Sequence, residues 1–358
     1  MIRVVLTLVL FLAMTLIVSA TPGKVNLLTM RKLALHNNLT CILVFGDSSV
    51  DPGNNNHLPT TFKGNFEPYG KNFFNGRPTG RFCNGRLPTD FIAEAIGYTK
   101  IIPGFLDPHL KKENLLHGVS FASAASGYDD LTANLTNVLP VSKQLAYLKH
   151  YKLALRRIVG QAKAEEIINN AIIVMSMGTN DFIQNYYLEP IRSKEFSVQQ
   201  YTDYLIKCMT RDIKELYAIG GRRLALVGIP PLGCMPLVKT LMGSTTCVKS
   251  YNDAVLSFNN KAKAQLAILE KMGVKSVYVD AYGIIQNAIK NPAKYGFTVT
   301  AKGCCGSGEI EFGDTCRGMK TCEDPTKYVF WDAVHPTEKM YSIIAENAIN
   351  SVARKIFV

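Results

Sequence analysis

The chain has 358 residues, is 47% apolar and carries a formal charge of +12. Its bases, Lys143, Lys149, Lys152, Arg156 and Arg157 among them, are scattered along helices rather than bunched into an arm, which speaks for a solvated face and against a dedicated nucleic-acid surface. Beyond the first twenty residues no stretch approaches the roughly 20 apolar residues a spanning helix needs, so the mature chain reads as soluble.

In chain order, Arg3 is followed by an uncharged stretch from Val4 to Val18, and Val18-Ser19-Ala20 offers small residues where a signal peptidase cuts. Residues 1–20 therefore read as a signal peptide, and its loss with Arg3 leaves 338 residues at +11. Residues 21–40 form an N-terminal segment, and 41–358 read as one domain, without internal repeat, low-complexity tract or linker. Asn38-Leu39-Thr40 and Asn134-Leu135-Thr136 are glycan acceptor patterns that place both asparagines on exposed loops.

Cys41 to Phe45 is an apolar run too short for a helix, and Gly46 breaks it, so a strand ends just before Asp47-Ser48-Ser49. Ser48 then reads either as a nucleophile or as a turn serine capping the next helix. From Asp51 to Arg86 the chain has no helical or alternating period. Phe62, Phe66, Phe73, Phe74 and Phe82 in this stretch either line an acyl or sugar pocket or anchor the loop to the core. A short helix over Pro88–Ile96 and a strand over Gly118–Ala122 follow, the latter stopping at Ser123-Ala124-Ala125-Ser126-Gly127. Leu145, Leu148, Tyr151, Leu155 and Ile158 recur at helical steps. Ala171 to Met177 is a third strand, stopped by Gly178-Thr179-Asn180-Asp181. A helix with Leu205, Met209, Ile213 and Leu216 inward leads to a fourth strand at Leu224–Ile229. Another with Val255, Phe258, Ala262, Leu266 and Leu269 inward leads to a fifth at Ser276–Asp280. A Cys-rich loop then runs to Tyr328-Val329-Phe330-Trp331-Asp332 and a last helix with Met340, Ile344, Ala348 and Val352 inward. Buried strands alternating with helices imply an α/β fold, a five-stranded parallel sheet with helices on both faces.

Nine cysteines in a secreted chain imply disulfides and at least one unpaired thiol. Cys234, Cys247, Cys304, Cys305, Cys316 and Cys322 read as two or three staples of open connectivity. Zinc is the rival reading, but no C-x-x-C pair exists and the compartment is oxidising.

The polar punctuation falls at one edge of that sheet. Ser48 follows the first strand, the Ala124-to-Gly127 turn the second and Asn180 the third, while His335 lies beyond the fifth. Of the six histidines, His335 alone has a carboxylate three residues before it in a loop that opens a helix. Asp332 can meet its Nδ1–H and leave Nε2 free to deprotonate a serine, or it can simply cap the helix. A serine, a base and preset donors are what acyl transfer requires. Asn180 reads as an oxyanion donor with the backbone N–H groups of Ser48 and of Gly127 or a neighbour, and Asp47 and Asp181 as braces of these turns.

Phe45-Gly46-Asp47-Ser48, Asp51-Pro52-Gly53-Asn54-Asn55-Asn56, Phe121-Ala122-Ser123 through Gly127, Gly178-Thr179-Asn180-Asp181 and Asp332-Ala333-Val334-His335-Pro336 resemble the plant GDSL esterase/lipases of the SGNH hydrolase superfamily. The resemblance runs from about Ile42 to the carboxyl terminus. It implies a flavodoxin-like three-layer sandwich, the SGNH hydrolase fold. It also implies Ser48 as nucleophile, Gly127 and Asn180 as oxyanion donors, and His335 with Asp332 completing a triad. No G-x-S-x-G occurs, which separates the chain from the α/β-hydrolases. Ser49 stands where the family name has leucine, and Ala124 and Ala125 replace glycines common in the second block.

The leading expectation is a secreted, extracellular serine hydrolase of carboxylic esters, acting on a lipid or an acylated cell-wall substrate in apoplast or wall. Passing the acyl group to a hydroxyl acceptor, or silent wall binding on the same scaffold, are the alternatives. Neither metal nor organic cofactor is implied, nor nucleic acid or an obligate protein partner. Weak attraction to acidic wall polysaccharide is the consequence expected of the positive charge.

Overall fold

A computed structural model describes residues 27–357, so the expected signal peptide and the cleavage expected after Ala20 lie outside the described residues. Five apolar runs form the strands β1 (Ile42–Gly46), β2 (Gly118–Ser120), β3 (Ile172–Ser176), β4 (Arg223–Val227) and β5 (Lys275–Val279). All pairs are parallel, in the order β2-β1-β3-β4-β5, with Val119, Leu43, Ile173 and Leu224 side by side across the sheet. The faces are covered by α1 (Leu27–His36), α2 (Pro88–Ile96), α3 (Val141–Val159), α4 (Val198–Ile219), α5 (Lys249–Glu270) and α6 (Glu338–Lys355).

Because side chains alternate along a strand, every strand feeds two cores. Leu43, Phe45, Ile173, Met175, Leu224 and Leu226 share one apolar cluster with α3, α4 and α5. Ile42, Val44, Ile172, Val174, Ala225 and Val277 share the other with α1, α2 and α6. Burial on both faces is why these runs are continuously apolar rather than alternating. Met30 and Ala34 of α1 belong to the second cluster, so the described part of the N-terminal segment packs onto the sheet.

Several local expectations need correction. Ile158, in the last turn of α3, is exposed, while Leu155 in the same turn is buried. The second strand's ladder ends at Ser120, although Phe121 N–H still reaches Val44 O at 2.8 Å and Ser123 N–H reaches Gly46 O at 3.0 Å. Asn38 is exposed in the turn after α1, but Asn134, also exposed, sits in a short helix over Asp130–Leu135 rather than a loop. The run after the Cys-rich loop adds a short strand, Tyr328–Phe330, outside the main sheet. As β7 it pairs with β6 (Val299–Gly303) in a separate two-stranded sheet. The cysteines form three disulfides, Cys234–Cys247, Cys304–Cys322 and Cys305–Cys316, leaving Cys41, Cys83 and Cys208 free and buried. Among the described residues no helix is long and apolar enough to cross a membrane, and no cluster of His, Cys, Asp or Glu is arranged to hold a metal.

The strand order matters for function. From β1 the chain moves to one side to make β2, then returns to the other side to make β3, so the loops after β1 and β3 diverge and leave a crevice at their carboxyl ends. Ser48 and Asn180 lie in those two loops.

Candidate active site

The turn after β1 is set by backbone crowding. Gly46 has φ +154°, and a Cβ there would lie 2.1 Å from Ser176 O on β3, so no other residue lets the two strand ends approach so closely. Gln144 of α3 clamps the same glycine, its Oε1 accepting from Gly46 N–H and its Nε2 donating to Gly46 O, each at 3.0 Å. The chain then turns through buried Asp47, whose Oδ1 accepts from Ser49 N–H at 2.9 Å and Ser49 Oγ–H at 2.7 Å. Burial pushes the Asp47 carboxyl above its ordinary value. Ser49 Oγ also lies 2.9 Å from Ser176 Oγ, so the position that departs from leucine joins a polar network rather than an apolar contact.

Ser48, half-buried, points its Oγ at His335 Nε2, 2.8 Å away and 287 residues distant in sequence. Nδ1 of the same ring is 2.7 Å from Asp332 Oδ2. The aspartate is fully buried, and its Oδ1 accepts from Val334 N–H at 2.8 Å and His335 N–H at 2.6 Å. An acceptor fixed on Nδ1 places the ring proton there and leaves Nε2 with a lone pair toward the serine, which can therefore lose its proton to the ring. The loop carrying the histidine is closed by Trp331 N–H to His335 O at 2.7 Å, while Trp331 O accepts from Cys304 and Cys305 N–H at 2.8 Å each. The disulfide loop is thus hydrogen-bonded directly to this segment.

Two cavities meet at Ser48, Val334 and His335. The larger, about 200 Å³, is lined by Phe62, Phe82, Ala124, Ala125, Asn180 and Leu237 among others. The smaller, about 70 Å³, is mostly apolar, with Met177, Ile229, Met235, Ile285 and Ile344 in its wall. Both loop-aromatic readings hold in part. Phe62 and Phe82 line the larger cavity, Phe66 and Phe73 are buried, and Phe74 is exposed.

A hydroxyl, an imidazole and a buried carboxylate in line, with cavities on both sides, suit an acyl-transfer site. The family model of GDSL-like lipases/acylhydrolases matches residues 42–348. The chain belongs to this family. It is 54% identical over 330 residues to the GDSL esterase/lipase At5g45950 of Arabidopsis thaliana, covering 92% of each chain. The identity is 44% to At2g04570 of the same plant, over 87% of this chain and 91% of the relative. It is 43% to its GDSL esterase/lipase APG, over 90% and 93% respectively. The protein is therefore a carboxylic ester hydrolase of GDSL type with the SGNH hydrolase fold.

In this GDSL enzyme the second and third blocks contribute Ala124, Ala125 and Asn180 to the cavity that His335 also lines. Asn180 lines the larger cavity, and its Nδ2 donates to Ser126 O at 2.9 Å, tying the amide to the Ala124–Gly127 turn. Asp181 behind it is fully buried. Its carboxylate accepts from Tyr128 N–H at 2.8 Å, Asp129 N–H at 3.1 Å and Thr132 Oγ1 at 2.6 Å, and burial pushes its carboxyl up to about 7. Gly127 is where that carboxylate comes in: a Cβ there would lie 2.2 Å from Asp181 Oδ1. Gly127 is itself buried and does not line either cavity, whereas Ala125, at φ +68°, lines the larger one. The backbone N–H groups of Ser48, Ala125 and Gly127 meet no acceptor among the described residues.

Some residues that brace the candidate site carry no sequence signal strong enough to single them out. Gln144 could have been noticed as the one polar member of the stripe that continues through Leu148, Tyr151 and Leu155. Asp51 ties the aperiodic loop to the cavity turn, accepting from Gly53 N–H and Asn54 N–H with Oδ1 and from Ala124 N–H at 3.0 Å with Oδ2. Asn54 adds bonds to Ser120 O and Ala122 O. Tyr69, whose hydroxyl lies 2.7 Å from Asp332 Oδ2, stood in a stretch with no period to read. A π-helix over Asp181–Leu188, directly after Asn180, was likewise illegible.

Proposed function

We propose that this GDSL hydrolase is a secreted serine esterase that works through an acyl-enzyme on Ser48. The observation that carries the reading is the unbroken line from Asp332 Oδ2 through the His335 ring to Ser48 Oγ, with both links under 3 Å. His335 takes the serine proton as the oxygen attacks the ester carbonyl. The oxyanion forms on the Asn180 side, where the amide Nδ2, the Ser48 N–H and the free N–H of Ala125 or Gly127 are its donors. His335 then returns the proton to the leaving alcohol, and water repeats the cycle on the acyl group.

Three disulfides among the described residues support an oxidising compartment, in keeping with the leader sequence. Exposed Asn38 and Asn134 are the glycan sites of such a secreted form. Apolar walls on either side of Ser48 favour esters whose acyl and alcohol parts both carry carbon surface.

The test is labelling with a fluorophosphonate probe, followed by peptide mapping and rates on a chain-length series of esters, acetylated xylan and pectin. Covalent label on Ser48 with release of free acid is expected. A folded chain that stays unlabelled overturns the reading, and transesterified oligomers in place of free acid would make it an acyltransferase. Asn180→Ala is expected to lower kcat by about 10²–10³ with little loss of stability, because a half-buried amide that stabilises developing charge is removed. Wild-type turnover in that variant would reduce Asn180 to a turn residue.

A further inference from the structure

Tyr69 belongs to neither cavity wall, yet it reaches the site from behind. It is fully buried in the loop between β1 and α2, held edge-on between Phe66 at 5.6 Å and Phe82 at 5.5 Å. Phe82 in turn lies 5.0 Å from the His335 ring. The Tyr69 hydroxyl accepts from Gly313 N–H at 2.7 Å and donates to Asp332 Oδ2 at 2.7 Å. With the backbone N–H in front of its lone pair, the phenolic proton has one acceptor to serve, and its direction is set.

Resting on the reading of Ser48, His335 and Asp332 given above, we propose that Tyr69 is a positioning residue of the reaction, which holds Asp332 Oδ2 against the histidine and tempers its charge. The carboxylate then has a full set of donors. Oδ1 serves Val334 N–H and His335 N–H, and Oδ2 serves the imidazole and the phenol. Without Tyr69, Oδ2 would have one donor and freedom to tilt, and its undiluted charge would bear on the imidazolium that forms during attack. The device also couples the Cys-rich loop to the reaction, because Gly313 begins the short turn that ends at Cys316, a member of the Cys305–Cys316 bridge.

The other titratable groups around this trio are few. Asp47, from the turn after β1, faces His335; Cys83, in the same loop as Tyr69, faces Tyr69, and Tyr341 on α6 faces Asp332, Asp47 and Cys83. Burial holds the Cys83 thiol and the Tyr341 phenol well above their ordinary values, so both stay neutral through the working range. Glu311, whose backbone carbonyl accepts from Ala333 N–H, turns its carboxylate away to Ser307 and Gly308. Burial and the nearby Asp332 charge likewise keep Tyr69 protonated, so it acts as a donor throughout.

The experiment compares Tyr69→Phe with wild type in kcat, KM, the pH profile of kcat/KM on a soluble ester, and thermal melting. Loss of a hydrogen bond to a charged group predicts a kcat lower by about tenfold to a hundredfold. KM should stay within about twofold, because the residue touches no cavity. The acid limb should move to higher pH by about half a unit to one unit, as the imidazolium gains from a less shared carboxylate. A limb that stays in place, whether kcat falls or not, overturns the proposal and leaves Tyr69 as packing. Site-specific 3-fluorotyrosine at position 69 keeps the shape and strengthens the donor, so it should move the limb the other way even if the phenylalanine variant fails to fold. No movement there overturns the proposal as well. Fluorophosphonate labelling of wild-type Ser48 separates the two claims: an unlabelled wild type sinks the esterase reading, whereas a labelled one with an unmoved limb sinks only the role of Tyr69.

Discussion

Ser48→Ala is expected to lower kcat by about 10⁵–10⁶ while leaving the folded state intact, since the attacking atom is removed and the residual rate comes from the oxyanion donors and binding alone. The structure explains why the two effects separate. Ser48 is half-buried, and the hydrogen bond of its Oγ runs to His335, which keeps its bond to Asp332 in the variant. The turn itself is held by Gly46, Gln144 and Asp47, none of which uses the serine side chain. Steady-state hydrolysis of a soluble ester and a melting curve measure both effects. A variant that keeps more than about a hundredth of wild-type turnover would assign the nucleophile elsewhere.

Asp332→Asn is expected to cost about 10⁴ in kcat through the wrong imidazole tautomer rather than through lost structure. The amide cannot choose its orientation freely. Two backbone N–H groups, those of Val334 and His335, converge on Oδ1, so the carbonyl oxygen of an asparagine stays there and its NH₂ is driven to the Oδ2 side. That NH₂ would face Nδ1 and the Tyr69 hydroxyl, both of which donate to the carboxylate in the wild type. The ring would answer by moving its proton to Nε2, from which it can no longer accept the serine proton. The labelling rate with fluorophosphonate should fall alongside kcat, with a much smaller change in melting temperature. Labelling at the wild-type rate would show that Asp332 does not set the tautomer.

Much of the frame could be read directly because burial on both faces leaves a composition signature. Leu43 and Ile42 serve opposite cores, so the whole run must be apolar whichever way the strand is turned. The same holds for Ile172–Ser176, and the intervening helices declared themselves by the three-to-four spacing of residues such as Leu145 and Leu148. β6 escaped notice because Val299–Gly303 is exposed or half-buried over most of its length and carries no apolar run. The π-helix after Asn180 escaped because a widened helical turn has no residue pattern of its own.

The candidate site is legible where a residue is marked by its own chemistry, and hidden where it is marked only by what it touches. Ser48, Asn180, Asp332 and His335 could be proposed from residue type and from position at strand ends. Gly127 reads as a donor for the same reason, yet the space it leaves for Asp181 is a matter of close approach between two loops. Ala125, at positive φ in the cavity wall, looks like an ordinary alanine in sequence.

Sequence by itself therefore determined the layered α/β frame and the family, and marked the candidate residue types, since these follow from periodicity, turn chemistry and motifs that are local in the chain. Tertiary structure alone decided which groups touch. The order of the strands brings the loop after β1 beside the loop after β3, and the Cys-rich segment folds back so that a histidine 287 residues on meets Ser48. Tyr69 on Asp332 and Gln144 on Gly46 belong to this second kind, because a hydrogen bond between distant segments depends on distances that residue order does not encode.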